Sequence, residues 1–486
     1  MTTNLSRLKG CWLGKSIGGT LGIPAEGKME KMNFSFYDPV PTVAPPNDDL
    51  ELQLVWLDLI ENAGSSLDRE DFARGWRQHI HYMWDEYGRC RWNLRRGVPL
   101  DNLGTFENPF HAAMGSPIRS EIWACVFPGD PDSAAHYAAL DASLDHGTEG
   151  AAGEVLFAAM QSRVAAGDTS VEEAIRAGLS YLPADYETSR AVALVLAEHA
   201  RGEGPWPCWE RLLSAHGNEN FTHAPLNVAL TIWALLYGAG DFEKSILLAV
   251  NGGYDTDCTA ATAGATLGLL LGAEGIPERW SAPIGDGVSV GPGILGIRAP
   301  ATLKELAART AAVVGKLERR AWDGSVWRDA PPAPELDGLP GTVQITPAGG
   351  GQPVPWANGE LPATVKEAGG AQWDWHVRDD EPKVLICLAR GGAKVFVDDA
   401  LALECPAGVP HVPATHRSGE GTQAWVNPCV GPHRVRVVLN GNDPRHEAAV
   451  MLAYPNLHLC PWTEQELPEA ADLPPALPSQ LPPAAS

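Results

Sequence analysis

The chain has 486 residues, more than one ordinary core accommodates, so two or three structural units are expected. A formal net charge of −24 and a sequence pI near 4.9 argue against a nucleic-acid backbone or an anionic membrane surface as partner, because both are read by basic patches. Nine scattered cysteines without a CxxC spacing argue against a disulfide framework or a zinc knuckle and fit reduced thiols in a cytoplasm.

The N-terminal run Cys11–Ala25 follows Arg7 and Lys9 and imitates a signal peptide, but Gly14, Gly18, Gly19 and Gly22 break its apolar core. No segment reaches the ~18 uninterrupted apolar residues of a membrane span. Glu26 follows in a Gly/Pro loop, as a solvated carboxylate or as an acid, base or ligand orienter. Asn47-Asp48-Asp49 then precedes the apolar run Leu50–Leu57, where a single Asn or Asp would suffice as a helix cap. Two adjacent acids after Pro45-Pro46 exceed what a cap requires.

From about residue 48 to 321 apolar residues recur at helical spacing, which predicts an all-α region. Ala113–Arg119 reads as a small Gly-containing loop ending in Arg, suited to close approach to a phosphate or sugar or simply a turn before a helix. Asp130-Pro131 opens a helix through Leu144, after which His146 either contacts substrate or complements a helix dipole. Asp241 caps the run to Val250, with Gly238 and Gly240 closing the helix before it.

The second acidic cluster, Asp255-Thr256-Asp257, is followed by Cys258, Thr259 and a run of small residues, Ala260–Gly268. An extended Asp-x-Asp would aim both carboxylates one way, toward one or two ions; the alternative is a capped helix whose small residues admit a close neighbour. Neither acidic cluster has an Arg or Lys beside it in the sequence, so carboxylates brought together there require a cation, and oxygen donors favour Mg²⁺, Mn²⁺ or Ca²⁺. Leu303, Leu306, Thr310, Val313 and Leu317 predict a last helix packed across the outside of the bundle.

At 328–340 the sequence becomes Pro-rich, which marks a linker after a helical domain at 1–327. Over 341–467 the period changes to two, as in Trp373/Trp375/Val377 and Val435/Val437/Leu439, and predicts a smaller all-β sandwich or jelly roll. A Pro-rich tail, expected to be loosely laid down, occupies 468–486.

The order of Gly10–Gly14 through Glu26-Gly27, Asn47-Asp48-Asp49, Met114–Arg119, Phe127–Pro131, Thr222–Pro225 and Asn251–Gly264 resembles the ADP-ribosylglycohydrolase family across the whole helical part. That resemblance implies an all-α fold with a centre of two Mg²⁺ ions, Mn²⁺ or Ca²⁺ being alternatives, which hydrolyses the bond between ribose and an acceptor. It implies Asp48 and Asp49 as ligands of one ion, Asp255 of the other and Asp257 as a bridge, with Asn47 and Cys258 also at the metals. It further implies Glu26, Asp49 and Asp257 as catalytic groups, and Met114, Gly115, Ser116, Arg119 and His146 as contacts to a small-molecule or ADP-ribosylated substrate, to which the departure Tyr254 is expected to add a ring that narrows the cleft and stacks on a sugar or base.

Asn47, Tyr254 and Cys258 stand where the family usually has Thr, Gly and Thr. A thiol is a poor ligand for Mg²⁺, so Thr259 or water is expected to replace the missing hydroxyl. With Glu51 in Asn-Asp-Asp-Leu-Glu and the Gly-Ser-Pro-Ile-Arg loop, these departures resemble a divergent bacterial branch and leave other readings open. One is the same two-metal chemistry on a non-nucleotide glycoside, with carbohydrate held at the β domain by Trp373, Trp375 or Trp425 unless these pack the core. Another is a catalytically silent reader of ADP-ribose or a nucleotide.

Overall fold

The computed structural model describes residues 5–167, 169–324, 327, 332–441, 445, 447–464 and 467. The chain divides into two compact units, one of Met1–Ile80 with Phe110–Asp329 and one of His81–Pro109 with Ala330–Ser486. The helical stretch expected over 1–327 therefore does not run unbroken: its 81–109 segment, with the helix Asp85–Arg95, groups with the strands. The reason is polar anchoring, since Arg89 Nη1 donates to the Asn358 carbonyl at 2.7 Å and Arg417 pairs with Asp85. Residues 328–331 of the linker and 468–486 of the tail lie outside the described residues.

In the first unit the helices Leu5–Gly22 and Thr256–Leu271 pack side by side along their small residues. A Cβ on Gly14 would stand 2.1 Å from the Gly264 carbonyl oxygen, and one on Gly10 2.3 Å from that of Gly268. The glycines that interrupt the apolar N-terminal run are thus its contact surface, because only hydrogen fits between the backbones. The helix Pro131–Ala142 begins at the predicted Asp130 cap and ends two residues short of Leu144. Asp241 caps Phe242–Asn251, and the preceding helix Ala224–Gly238 closes through left-handed Ala239 and Gly240. Leu303–Val313 buries its predicted stripe, and Trp12 Nε1 donates to Thr310 Oγ1 at 3.2 Å. Among the described residues no helix is long and apolar enough to cross a membrane.

Among its described residues the second unit has ten strands: β1 (Val343–Pro347), β2 (Val354–Trp356), β3 (Gly359–Glu360), β4 (Gly370–Val377), β5 (Lys383–Ala389), β6 (Ala393–Val397), β7 (Ala400–Cys405), β8 (Gln423–Val426), β9 (Gly431–Leu439) and β10 (Ala448–Ala453). They form antiparallel sheets ordered β2-β1-β4-β9-β6-β7 and β3-β10-β5-β8. One core cluster takes Trp373, Trp375, Val435 and Val437 from the first sheet and Leu385, Cys387, Val450 and Leu452 from the second, as in a sandwich. Trp373 and Trp375 are therefore core residues, whereas Trp425 on the edge strand β8 is 50% exposed.

Candidate functional site

Three chain segments bring the predicted acids together. Asn47 caps the helix Asp48–Asn62, its Oδ1 accepting the Asp49 N–H at 2.7 Å. The cap and the acidic cluster are one device, because starting the helix there points Asp49 inward. Asp255 immediately precedes the helix Thr256–Leu271 but makes no side-chain cap bond, and Asp257 lies in the first turn. The Asp-x-Asp is accordingly a helix start and not an extended pair. It abuts the end of the first helix so closely that a Cβ on Gly22 would stand 2.3 Å from Asp257 Cα, and Thr256 Oγ1 donates to the Gly22 carbonyl at 2.8 Å.

Glu26 is delivered by a short backbone clasp. Tyr254 N–H donates to the Lys28 carbonyl, and Gly27 N–H donates to the Tyr254 carbonyl, each at 2.9 Å. Tyr254 itself has φ +70°, a left-handed conformation costing a non-glycine residue about 1–3 kcal/mol. The two clasp bonds oppose that cost. Asp255 N–H donates to Asn227 Oδ1 at 3.2 Å, which fixes the other side of the turn.

Asp49, Asp255, Asp257 and Cys258 are all buried, while Glu26 is exposed. Donor atoms of Asp49, Asp257 and Cys258 lie within 4.8 Å of one another, as do those of Glu26, Asp255 and Asp257. Asp257 belongs to both groups. Both carboxylate oxygens of Asp49, Asp255 Oδ2 and Asp257 Oδ1 are buried without a hydrogen-bond donor. Burial and neighbouring acids push Asp49 and Asp255 well above the usual carboxylate range, and burial with Glu26 and Asp48 pushes Asp257 up to about 8. Burial and Asp255 likewise raise the Cys258 thiol. Such oxygens repel one another and accept readily, the condition a hard divalent cation satisfies.

The structure corrects several expectations. Asn47 Oδ1 is occupied by its cap bond and its Nδ2 donates to Asp257 Oδ2 at 3.2 Å, so the amide presents its donor end to the cluster. Thr259 Oγ1 turns back to the Thr256 carbonyl at 3.3 Å, leaving Cys258 in the position that Thr259 was expected to fill. The cluster also has a cation that the local sequence hides: Lys15 Nζ, on the first helix, lies 3.5 Å from Asp49 Oδ1 and 3.1 Å from Glu121. Glu121 in turn accepts from Gln53 at 2.9 Å and Gln161 at 3.3 Å. Nothing in the local sequence marks Lys15, Glu121, Gln53 and Gln161 as one group. The available signal was a lysine inside an apolar glycine-spaced helix, which burial obliges to find an acid.

Arg119 does not face a ligand. It is fully buried, donating through Nε to Asp141 at 2.9 Å, through both terminal nitrogens to Asp145 at 2.9 and 2.6 Å, and through Nη1 to the Gly115 carbonyl at 2.9 Å. Met114 and Gly115 are buried beside it, and Ser116 Oγ donates to the Gly150 carbonyl at 3.2 Å. His146 is buried with Nδ1 2.9 Å from Asp145 Oδ1. The Met114–Arg119 segment is thus held by internal bonds, and the ion pair explains why an arginine follows a glycine loop here.

An all-α unit carrying paired-aspartate clusters at two helix starts, joined through one shared carboxylate, defines the class of protein. The family model described as ADP-ribosylglycohydrolase matches residues 1–319, and the chain belongs to that family. An uncharacterized protein of Archaeoglobus fulgidus is 26% identical over 291 residues, spanning 56% of this chain and 90% of the relative. A solved structure titled ADP-ribosylglycohydrolase-related protein complex aligns with a TM-score of 0.43 and 21% identity, covering 65% of this chain and 99% of its own.

Proposed function

We propose that the chain is a divalent-metal-dependent hydrolase of the glycosidic bond in an ADP-ribosylated or related ribosyl substrate. The observation that carries this reading is the set of buried carboxylate oxygens without donors, converging on Asp257 in an ADP-ribosylglycohydrolase chain. The donors suit two hard cations, Mg²⁺ before Mn²⁺ or Ca²⁺: Asp49 and Asp257 for one, with the Cys258 thiol beside them and Asp48 as the further ligand that the family resemblance implies, and Glu26, Asp255 and Asp257 for the other. When bound, such ions lower the pKa of water and polarise oxygen.

The protein's own groups divide the remaining work. Asp49, Asp255 and Asp257 are buried and held by helix starts, so their positions are fixed before substrate arrives, and with cations bound they would be ionised and present a fixed negative field. That field stabilises the positive charge that grows at the anomeric carbon as the glycosidic bond breaks. Glu26, exposed at the rim, is the carboxylate that substrate reaches and the one placed to take a proton from the attacking water. The free state of all nine cysteines fits a reducing cytoplasm.

One observation favours a second reading, a non-nucleotide glycoside as substrate: the arginine expected to meet phosphate is committed to Asp141 and Asp145. Trp425 alone of the three candidate tryptophans remains exposed for a sugar face. Metal-supplemented full-length protein assayed against ADP-ribosyl-arginine, ADP-ribosyl-serine, O-acetyl-ADP-ribose and simple glycosides separates the readings. Turnover of a nucleotide substrate supports the first; turnover of glycosides alone supports the second. Tight ADP-ribose binding by calorimetry without product release would instead identify a silent reader. In the active case Asp257→Ala abolishes both turnover and Mg²⁺ binding while circular dichroism keeps its helical signal, and undiminished wild-type turnover in excess chelator would defeat the metal hypothesis.

A further inference from the structure

A second constellation lies in the strand unit, outside the acidic cluster. The β6–β7 hairpin turns through Asp398-Asp399, both with positive φ, +48° and +65°. Tight hairpins of this hand favour Gly or Asn, so two aspartates there carry backbone strain. Asp398 is pinned to β9, its N–H donating to the Arg434 carbonyl at 2.8 Å and its Oδ1 accepting the Arg434 N–H at 2.9 Å. The other oxygen, Oδ2, lies 2.6 Å from Nδ1 of His433. On the far side of the ring, Nε2 lies 2.6 Å from the Cys429 carbonyl oxygen and 3.9 Å from Cys429 Sγ.

Both ring nitrogens therefore face oxygens that only accept. The Arg434 N–H and His433 hold the Asp398 carboxyl below its usual range, so it is ionised, and a backbone carbonyl has no proton to give. An imidazole that satisfies both must donate from both nitrogens, which makes it an imidazolium. Burial opposes that charge, but the bonds to Asp398 and the Cys429 carbonyl outweigh it and raise the His433 pKa. Cys429 is the exposed member of the nine cysteines; the other eight are buried. Cys429 thus presents an accessible sulfur 3.9 Å from a fixed cation, and the thiolate is the form in which a cysteine attacks.

We propose that Cys429 is a thiolate modification site, converted to sulfenic acid by hydroperoxides, with His433 oriented by Asp398 as the cation that holds the negative sulfur. The sulfur lone pair attacks one peroxide oxygen and forms an S–O bond as the O–O bond breaks. Sulfur is oxidised by two electrons and the peroxide is reduced. The departing hydroxide takes a proton from solvent to give water, or an alcohol from an alkyl hydroperoxide.

The test treats the full chain with hydrogen peroxide in the presence of a sulfenic-acid trap and follows the Cys429 peptide by mass spectrometry, with glutathione as internal reference. Cys429 is expected to react faster than glutathione. His433→Gln is expected to lose most of that advantage, and Asp398→Asn part of it. Labelling of wild-type Cys429 no faster than glutathione overturns the proposal without recourse to any variant, as does an unchanged rate in a His433→Gln protein that retains the wild-type circular dichroism spectrum.

Discussion

The helical unit contains two buried acidic clusters that resemble each other in composition and differ in how their charge is met. Around Arg119, the carboxylates of Asp141, Asp145 and Glu154 share a guanidinium whose donors are taken up inside the protein, and Trp123 Nε1 adds bonds to Asp141 at 3.3 Å and Glu154 at 3.0 Å. Burial opposes ionisation of Asp145, but Arg119 and His146 outweigh it and hold the carboxyl down at about 2. Around Asp257 there are Glu26, Asp48, Asp49 and Asp255, and Lys15 as cation, itself shared with Glu121. The first cluster spends its guanidinium and indole donors on its own carboxylates, with Glu154 Oε2 left as a buried oxygen without a donor, and it builds the fold. The second has four such oxygens, on Asp49, Asp255 and Asp257, against one lysine shared with Glu121, and that excess of unmet acceptors is what separates a site from a strut.

Replacing the cation of each cluster breaks the comparison most severely. Arg119→Met leaves Asp141, Asp145 and Glu154 buried without their partner and is expected to cost about 3–5 kcal/mol in chemical denaturation, with no recovery on adding Mg²⁺. Lys15→Met removes a cation of the same depth, and its metal-free cost is expected to be about 3 kcal/mol because Gln53 and Gln161 still serve Glu121. Here added Mg²⁺ should recover part of the loss, since Asp49 faces the donor set. Equal insensitivity of both variants to Mg²⁺ would erase the distinction between the clusters.

How much of this was legible in the sequence follows from the range over which each signal acts. Periodicity announced the helices and the change to strands, because amphipathic spacing is local. Asp48, Asp49, Asp255 and Asp257 could be singled out because each pair sits at a helix start, where a backbone with spare N–H groups marks the position. Lys15 could not be assigned, because its partners Asp49 and Glu121 come from other helices and only the packing at Gly14 and Gly18 sets the first helix deep enough. Arg119 failed for the same reason in reverse: a glycine loop ending in arginine describes a phosphate contact and a buried ion pair equally well until Asp141 and Asp145 are seen beside it. The grouping of residues 81–109 with the strands was likewise invisible, since the helix Asp85–Arg95 has ordinary helical sequence and its Arg89 contacts a carbonyl far along the chain.

The mildest test perturbs only protons. Asp257 has an ordinary carboxyl pKa of 3.8 when unfolded and about 8 in the metal-free fold. Between those values the folded state binds a proton that the unfolded state does not, so stability is fully present below about 3.8 and is lost as pH rises toward 8. Metal-free protein should therefore grow less stable across that window, by about 1.4 kcal/mol per pH unit for each proton so held. Asp145 has the opposite sign: its depressed pKa contributes stability above 3.8 that is lost as pH falls toward 2, below the window in which Asp257 acts. Thermal melts from pH 5 to 8 thus separate Asp257 from Asp145, whereas Glu154, pushed up by burial and Asp141, belongs to the Arg119 cluster and is told apart by its indifference to Mg²⁺. Saturating Mg²⁺ should flatten or invert the slope, because the ion takes the place of the protons and binds more tightly as they leave. A slope that Mg²⁺ leaves unchanged would mean that those carboxylates meet their charge within the fold, as the Arg119 cluster does.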